Sequence, residues 1–221
     1  MHTTVQRLNL VTNKVNEVLR IKQLKTTPKI IAVSKTFKID KIKPLIEHGH
    51  VHFGENKMQE AEDKWIDIKK NNKTLQLHMV GKLQSNKAKK AVKLFDFLHS
   101  LDSENLAKKI NTFSKELNKT LKIFIQVNLG NETQKSGILI NEVDSFYNYC
   151  IKDLSLNIIG LMCLPPIDSN PELFFKELKK KSDVLNLKDI SMGMSGDYEK
   201  AVANGSTYLR LGTEIFGKRN I

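Results

Sequence analysis

Long hydrophobic runs are missing from this 221-residue chain. No apolar stretch approaches the ~20 residues that span a bilayer. Residues 1–10 mix polar and apolar types and lack the apolar segment of a secretory leader. Cysteine is scarce: Cys150 and Cys163 are the only two, and their spacing suggests neither a metal site nor a disulfide framework. A reduced, cytoplasmic protein with no membrane partner is the expectation. Arginine is scarcer still for a basic protein, since Arg7, Arg20, Arg210 and Arg219 are the only four among 36 basic residues. The net charge of +12 therefore does not argue for specific nucleic-acid binding, which favours arginine forks with interleaved aromatics. The densest basic stretch, Lys87-Ala88-Lys89-Lys90-Ala91-Val92-Lys93, reads as the solvated face of a helix. No Gly-x-Gly-x-x-Gly follows the first apolar strand, which removes support for a dinucleotide fold. Neither Ser34 nor Ser191 sits in a nucleophile elbow.

What is present is an alternation of strand and helix patterns with no compositional break. Strands are predicted over 30–34, 51–54, 75–80, 95–100, 122–128, 157–163, 189–192 and 207–211. Helical periodicity fills 39–47, 58–70, 86–94, 103–117, 141–151, 171–187 and 197–203, and an additional helix over 4–24 precedes the first strand. Eight such strands without a linker predict a single-domain (β/α)₈ TIM barrel over residues 1–221. An open doubly wound sheet is the competing architecture.

Lys35 ends the apolar run Ile30-Ile31-Ala32-Val33-Ser34-Lys35, at the C-terminal tip of the first strand, where α/β proteins bind their ligands. An amine delivered there from an apolar strand is a nucleophile for a carbonyl once desolvation lowers its pKa. Two segments near the C-terminus complement it. The run from Ser191 through Gly193, Ser195 and Gly196 follows the seventh strand, and Arg210-Leu211-Gly212-Thr213 ends the eighth. Loops at these two barrel positions commonly cradle phosphate, with backbone N–H groups and a short helix start. Ser195 is placed to cap the next helix, and Gly193, Gly196 and Gly212 would let backbone approach an anion. Arg210 should point toward whatever the loops hold.

Several motifs in order carry a resemblance: Ala32-Val33-Ser34-Lys35-Thr36, Phe53-Gly54-Glu55-Asn56, His78-Met79-Val80-Gly81-Lys82-Leu83-Gln84-Ser85-Asn86-Lys87, Gln126-Val127-Asn128, Lys135-Ser136-Gly137, Gly160-Leu161-Met162, Ser191-Met192-Gly193-Met194-Ser195 and Arg210-Leu211-Gly212-Thr213-Glu214-Ile215-Phe216-Gly217. Together they resemble the pyridoxal phosphate homeostasis protein family. The resemblance implies the type III fold of pyridoxal 5'-phosphate (PLP) proteins, similar to the N-terminal domain of alanine racemase, with PLP held as an internal aldimine on Lys35. It further implies phosphate binding by Ser195, Gly212 and Thr213, with Arg210 near the pyridine nitrogen and Asn56 lining the site. A guanidinium there keeps that nitrogen unprotonated and the ring a poor electron sink.

The function so implied is intracellular PLP and vitamin B6 homeostasis without catalytic turnover, with PLP and apo PLP-dependent enzymes as partners; a monomer is expected because no apolar surface helix stands out in the sequence. A PLP-dependent amino-acid racemase is the alternative. Against it, the opposing tyrosine of the racemase architecture comes from a second, β-rich domain, and this sequence stops four residues after Gly217. Two further readings concern other segments. His48, His50 and His52 alternate and on a strand would share a face, yet no acidic or cysteine ligand has suitable spacing, so no metal is expected. The loop 129–137 follows the fifth strand, on the face a barrel uses for binding.

Overall fold

Lys29–Val33 (β1) has its last three residues buried, as expected of a strand covered on both faces in a parallel sheet. In the computed structural model, which describes residues 1–130 and 136–218, seven further long strands join it: His52–Glu55 (β2), Gln76–Met79 (β3), Phe97–Leu101 (β4), Lys122–Asn128 (β5), Ile158–Cys163 (β7), Asp189–Ser191 (β8) and Tyr208–Leu211 (β9). All pair in parallel. The order β4-β3-β2-β1-β9-β8-β7-β5 closes on itself through β4–β5, making an eight-stranded barrel. A two-residue strand, Ile138–Leu139 (β6), adds to the C-terminal end of β5. The closed order excludes the open doubly wound sheet.

Helices cover the outside: Thr3–Ile21 (α1), Ile39–Glu47 (α2), Met58–Asn71 (α3), Ala88–Leu94 (α4), Glu104–Leu117 (α5), Val143–Asn148 (α6), Pro171–Val184 (α7), Tyr198–Ala203 (α8) and Thr213–Phe216 (α9). The sequence-based helix over 4–24 is α1, whose buried Val5, Leu8, Val11, Val15 and Leu19 form one apolar stripe. Its N-terminus is held by the His2 ring, which accepts from the Thr4 N–H. Ser103 caps α5 by accepting from Leu106 N–H, and Asn118 ends that helix in the left-handed region. Asn170 followed by Pro171 opens α7 in the same way. On α4, Lys89, Lys90 and Lys93 are exposed while Ala88, Ala91, Val92 and Leu94 are buried. The basic run is thus the outer face of a barrel helix, and Lys90 pairs there with Glu62 at 2.9 Å.

Two apolar layers result. The larger lies between strands and helices and includes Phe53, Trp65, Leu98, Ile110 and Phe175. The smaller, Ile31, Val33, Phe97, Phe124, Met162 and Tyr208, alternates with it along the strands and fills the barrel interior. His48, His50 and His52 do not share a strand face. His48 caps the C-terminus of α2, Gly49 turns in the left-handed region, and β2 begins only at His52. Among the described residues no group of three or more His, Cys, Asp or Glu could hold a metal ion. The chain has no helix, among the same residues, long and apolar enough to cross a membrane.

Candidate functional site

A cleft of about 620 Å³ opens at the C-terminal ends of the strands. Its wall gathers residues far apart in sequence: Lys35 beyond β1, Asn56 beyond β2, Ser195 beyond β8, Arg210 on β9, and Gly212 with Thr213 where α9 begins. The structure thus brings all six sequence-predicted residues to one cavity. The wall also includes Val80, Lys82, Gln126, Asn128 and Leu164, which sequence reasoning assigned no role. Most of these lie in the quoted motifs, so the signal was present without a chemistry attached to it.

The turn bearing Lys35 is held from beneath. Glu55 is fully buried and its Oε1 accepts from Ser34 Oγ at 2.7 Å, from Trp65 Nε1 at 2.9 Å and from Lys64 Nζ at 2.7 Å. The Lys64 ammonium also donates to the Ser34 carbonyl at 2.8 Å and the Phe37 carbonyl at 3.3 Å, so it brackets Lys35 and Thr36. Thr36 adopts φ +67° and its N–H donates to Glu60 Oε1. Glu55 Oε2 is buried without a partner among the described residues, so the pair relies on Lys64 for charge balance. Lys64→Met is expected to cost about 3 kcal/mol or more, because it strands a buried carboxylate. Denaturant midpoints should show this loss, and the double change with Glu55→Gln should recover part of it.

The loop after β8 departs from the sequence expectation in one respect. Ser195 does not cap α8, whose N-cap is Asp197 without a side-chain cap bond. Its hydroxyl accepts from the Glu214 N–H at 3.2 Å and ties the loop to the start of α9. The α8 side of the loop is closed by Asp197 Oδ1, which accepts from Met194 N–H at 2.6 Å. Gly193 is required by packing. It has φ +92°, and a Cβ there would come within 2.5 Å of Ala201 Cβ. Gly212 faces more room, since a Cβ would meet nothing nearer than the Val33 carbonyl at 3.5 Å.

Arg210 is only 5% exposed. Its Nη1 donates to Ser191 Oγ at 2.6 Å, its Nη2 to the Cys163 carbonyl at 2.9 Å, and its backbone N–H to the Gly193 carbonyl at 3.0 Å. Burial lowers its pKa from the ordinary value, but a guanidinium starts so high that it stays charged. The cysteines take no part as nucleophiles. Both are free and buried, and burial pushes each thiol up to about 12.

Lys35 at the end of β1, Ser195 and Thr213 after β8 and β9, and the buried Arg210 thus share the wall of one cleft at the C-terminal mouth of the barrel. Residues 13–220 match the family model of the alanine racemase N-terminal domain. The pyridoxal phosphate homeostasis protein of Synechocystis sp. is 36% identical over 208 residues, covering 90% of this chain and 95% of that protein. That of Aquifex aeolicus is 34% identical over 200 residues, covering 86% and 87%. The chain belongs to the pyridoxal phosphate homeostasis protein family. Among solved structures, PipY of Synechococcus elongatus, determined without PLP and with PLP bound, gives TM-scores of 0.82 and 0.81 at 33% identity. The match covers 92% of this chain and 100% of PipY. An alanine racemase of Clostridium difficile shares the fold at 16% identity and a TM-score of 0.74, with 57% of its length covered.

Proposed function

We propose that this protein is a PLP carrier that serves PLP homeostasis without catalytic turnover. The observation that carries this reading is the convergence of Lys35, Arg210, Ser195 and Thr213 on one cleft of cofactor size. The donor set suits PLP: a primary amine for its aldehyde, hydroxyls and the α9 start for its phosphate, and a fixed cation for its ring edge. Asn56 and Gly212 complete the wall on either side of Lys35. When bound, PLP supplies an aldehyde that condenses with a primary amine. Lys35 Nζ is the attachment point in this reading, and Arg210 holds the ring nitrogen unprotonated. The PLP-bound form of PipY, at 33% identity, supports the cofactor assignment. The protein would act as a cytoplasmic monomer that takes up PLP and passes it to apo PLP-dependent enzymes.

The racemase alternative needs proton-transfer groups on both faces of a substrate carbon. Among the described residues that line the cleft there is no histidine, tyrosine, cysteine or carboxylate, and Lys82 is the one amine besides Lys35. That composition favours holding PLP over turning it over. Exchange of the α-hydrogen of several amino acids in deuterated water tests the point. Exchange near the background rate of free PLP is expected, and enzyme-like turnover lost in Lys35→Ala would replace the carrier with a racemase.

A further inference from the structure

Arg210 stands at one end of a polar file that crosses the barrel interior. Ser191 Oγ lies 2.8 Å from His99 Nδ1, His99 Nε2 lies 2.9 Å from His78 Nδ1, and His78 Nε2 lies 3.0 Å from His52 Nδ1. Ser191, His78 and His99 are fully buried, while His52 is half-buried at the N-terminal mouth. The rings are clamped by aromatics: His78 stacks on Phe97 with centroids 4.1 Å apart, and His99 on Phe124 at 4.4 Å. Four strands, β9, β8, β4 and β3, each contribute one member, and β2 supplies the last.

The charge on Arg210, together with the single acceptor open to the Ser191 hydroxyl, sets the direction of every bond in this file. A guanidinium can only donate, so Ser191 Oγ accepts from Nη1 and has one O–H left to give. Its one other side-chain partner among the described residues is His99 Nδ1, so the O–H goes there and that nitrogen is bare. A neutral His99 carries its proton on Nε2 and donates to His78 Nδ1. His78 in turn donates from Nε2 to His52 Nδ1, leaving the His52 proton on its own Nε2. Reversing the whole column, with every proton on Nδ1, would leave the Ser191 O–H without an acceptor in a water-free interior, and reversing one ring alone would set like groups against each other.

We propose that Ser191, His99, His78 and His52 form a one-way column of neutral hydrogen bonds that positions Arg210 at the cofactor ring. Burial and neighbouring positive charge both keep the inner rings neutral, in agreement with the pKa of His78 and His99 lying well below the ordinary 6.5. These are positioning residues: none of Ser191, His99, His78 and His52 lines the cleft. The proposal rests on reading Arg210 as the group at the cofactor ring, but the tautomers can be measured without any cofactor.

The test begins with nitrogen-15 NMR of the imidazoles in the PLP-free protein near pH 7. The expected result is a protonated Nε2 and bare Nδ1 for His52, His78 and His99 together. In Ser191→Ala, a nearly isosteric change, the nitrogen shifts of His99 and of the more distant His78 and His52 should all move. PLP affinity should fall about tenfold, the scale of losing one buried hydrogen-bond partner, with label still on the same lysine. Ser191→Thr, which keeps the hydroxyl, should restore the histidine shifts. A cationic ring or an Nδ1–H tautomer at His78 or His99 would overturn the column. So would Ser191→Ala leaving the three rings and the affinity unchanged. Failure of PLP to label Lys35 in the parent protein would instead count against the carrier reading and leave the tautomers standing.

Discussion

Lys35→Ala is expected to lose all PLP that borohydride can fix while unfolding at nearly the same denaturant concentration as the parent. Lys35 lies in the turn just past β1, partly exposed at the cleft wall. Removing its side chain there leaves no core cavity. The turn itself is fixed by other groups, namely the Lys64 bonds to the Ser34 and Phe37 carbonyls and the Ser34–Glu55 bond. A stability change of about 0.5 kcal/mol or less is therefore expected. The loss of covalent cofactor, by contrast, should be complete. Absorbance of the aldehyde adduct, followed through gel filtration before and after reduction, measures both. Fixable PLP persisting at the parent level would mean that another amine is the attachment point.

The PLP-free protein is also expected to be acid-labile in a window where carboxylates are still charged. In the unfolded chain His78 and His99 each take up a proton near pH 6.5, whereas in the barrel their pKa values lie well below that. Burial is the main cause. His78 is further opposed by His99, His52, Lys29 and His50, and His99 by Arg210. Between the unfolded and folded pKa values the unfolded state binds more protons, so stability falls as pH falls. Below pH 6.5 each such ring lowers stability by up to about 1.4 kcal/mol per pH unit for as long as its folded pKa lies lower still. His50 and His52, both lowered to about 4 mainly by burial, push the same way down to that pH. Asp102, raised by burial, acts in the opposite sense as a single group. Such losses count against a total stability of only about 5–15 kcal/mol for an ordinary domain. Urea unfolding at pH 7, 6 and 5 should show the fall, and His99→Phe should make it shallower. A flat profile between pH 7 and 5 would mean that the imidazoles are not buried as described.

The barrel was legible because its strands announce themselves as short apolar runs separated by helical periodicity. β5 and α2 follow the sequence-based boundaries to the residue. Other ends shift by a few residues, and the predicted helix over 141–151 breaks into α6 and a π turn at Tyr149–Asp153. β6 is too short to leave a periodic trace. Lys35 and the loops after β8 and β9 could be found because strand ends and glycine-rich turns have chemical signatures at known barrel positions. Of the predicted loop 129–137, residues 131–135 lie outside the described part of the chain. The motif residue Lys135 lies there too.

The histidine file was not legible, for a physical reason. In a parallel barrel both strand faces are buried, so hydropathy does not mark which residues point inward. His78 and His99 sit on different strands, 21 residues apart, and Ser191 is 92 residues from His99. Only closure of the sheet brings them into line. The Glu55–Lys64–Trp65 cluster was hidden similarly. It joins the end of β2 to the middle of α3, and nothing in the spacing distinguishes Lys64 from the many solvated lysines.

The most direct measurement is peptide mapping of the parent protein by mass spectrometry after incubation with PLP and reduction with borohydride. One pyridoxyl group per chain, on the peptide containing Lys35, is the expected result. The label should be absent when Lys35 is alanine and weakened when Thr213 is replaced by a bulky residue. Label found mainly on Lys82 or scattered over the exposed lysines would contradict Lys35 as the cofactor's anchor, and with it the carrier built around this cleft.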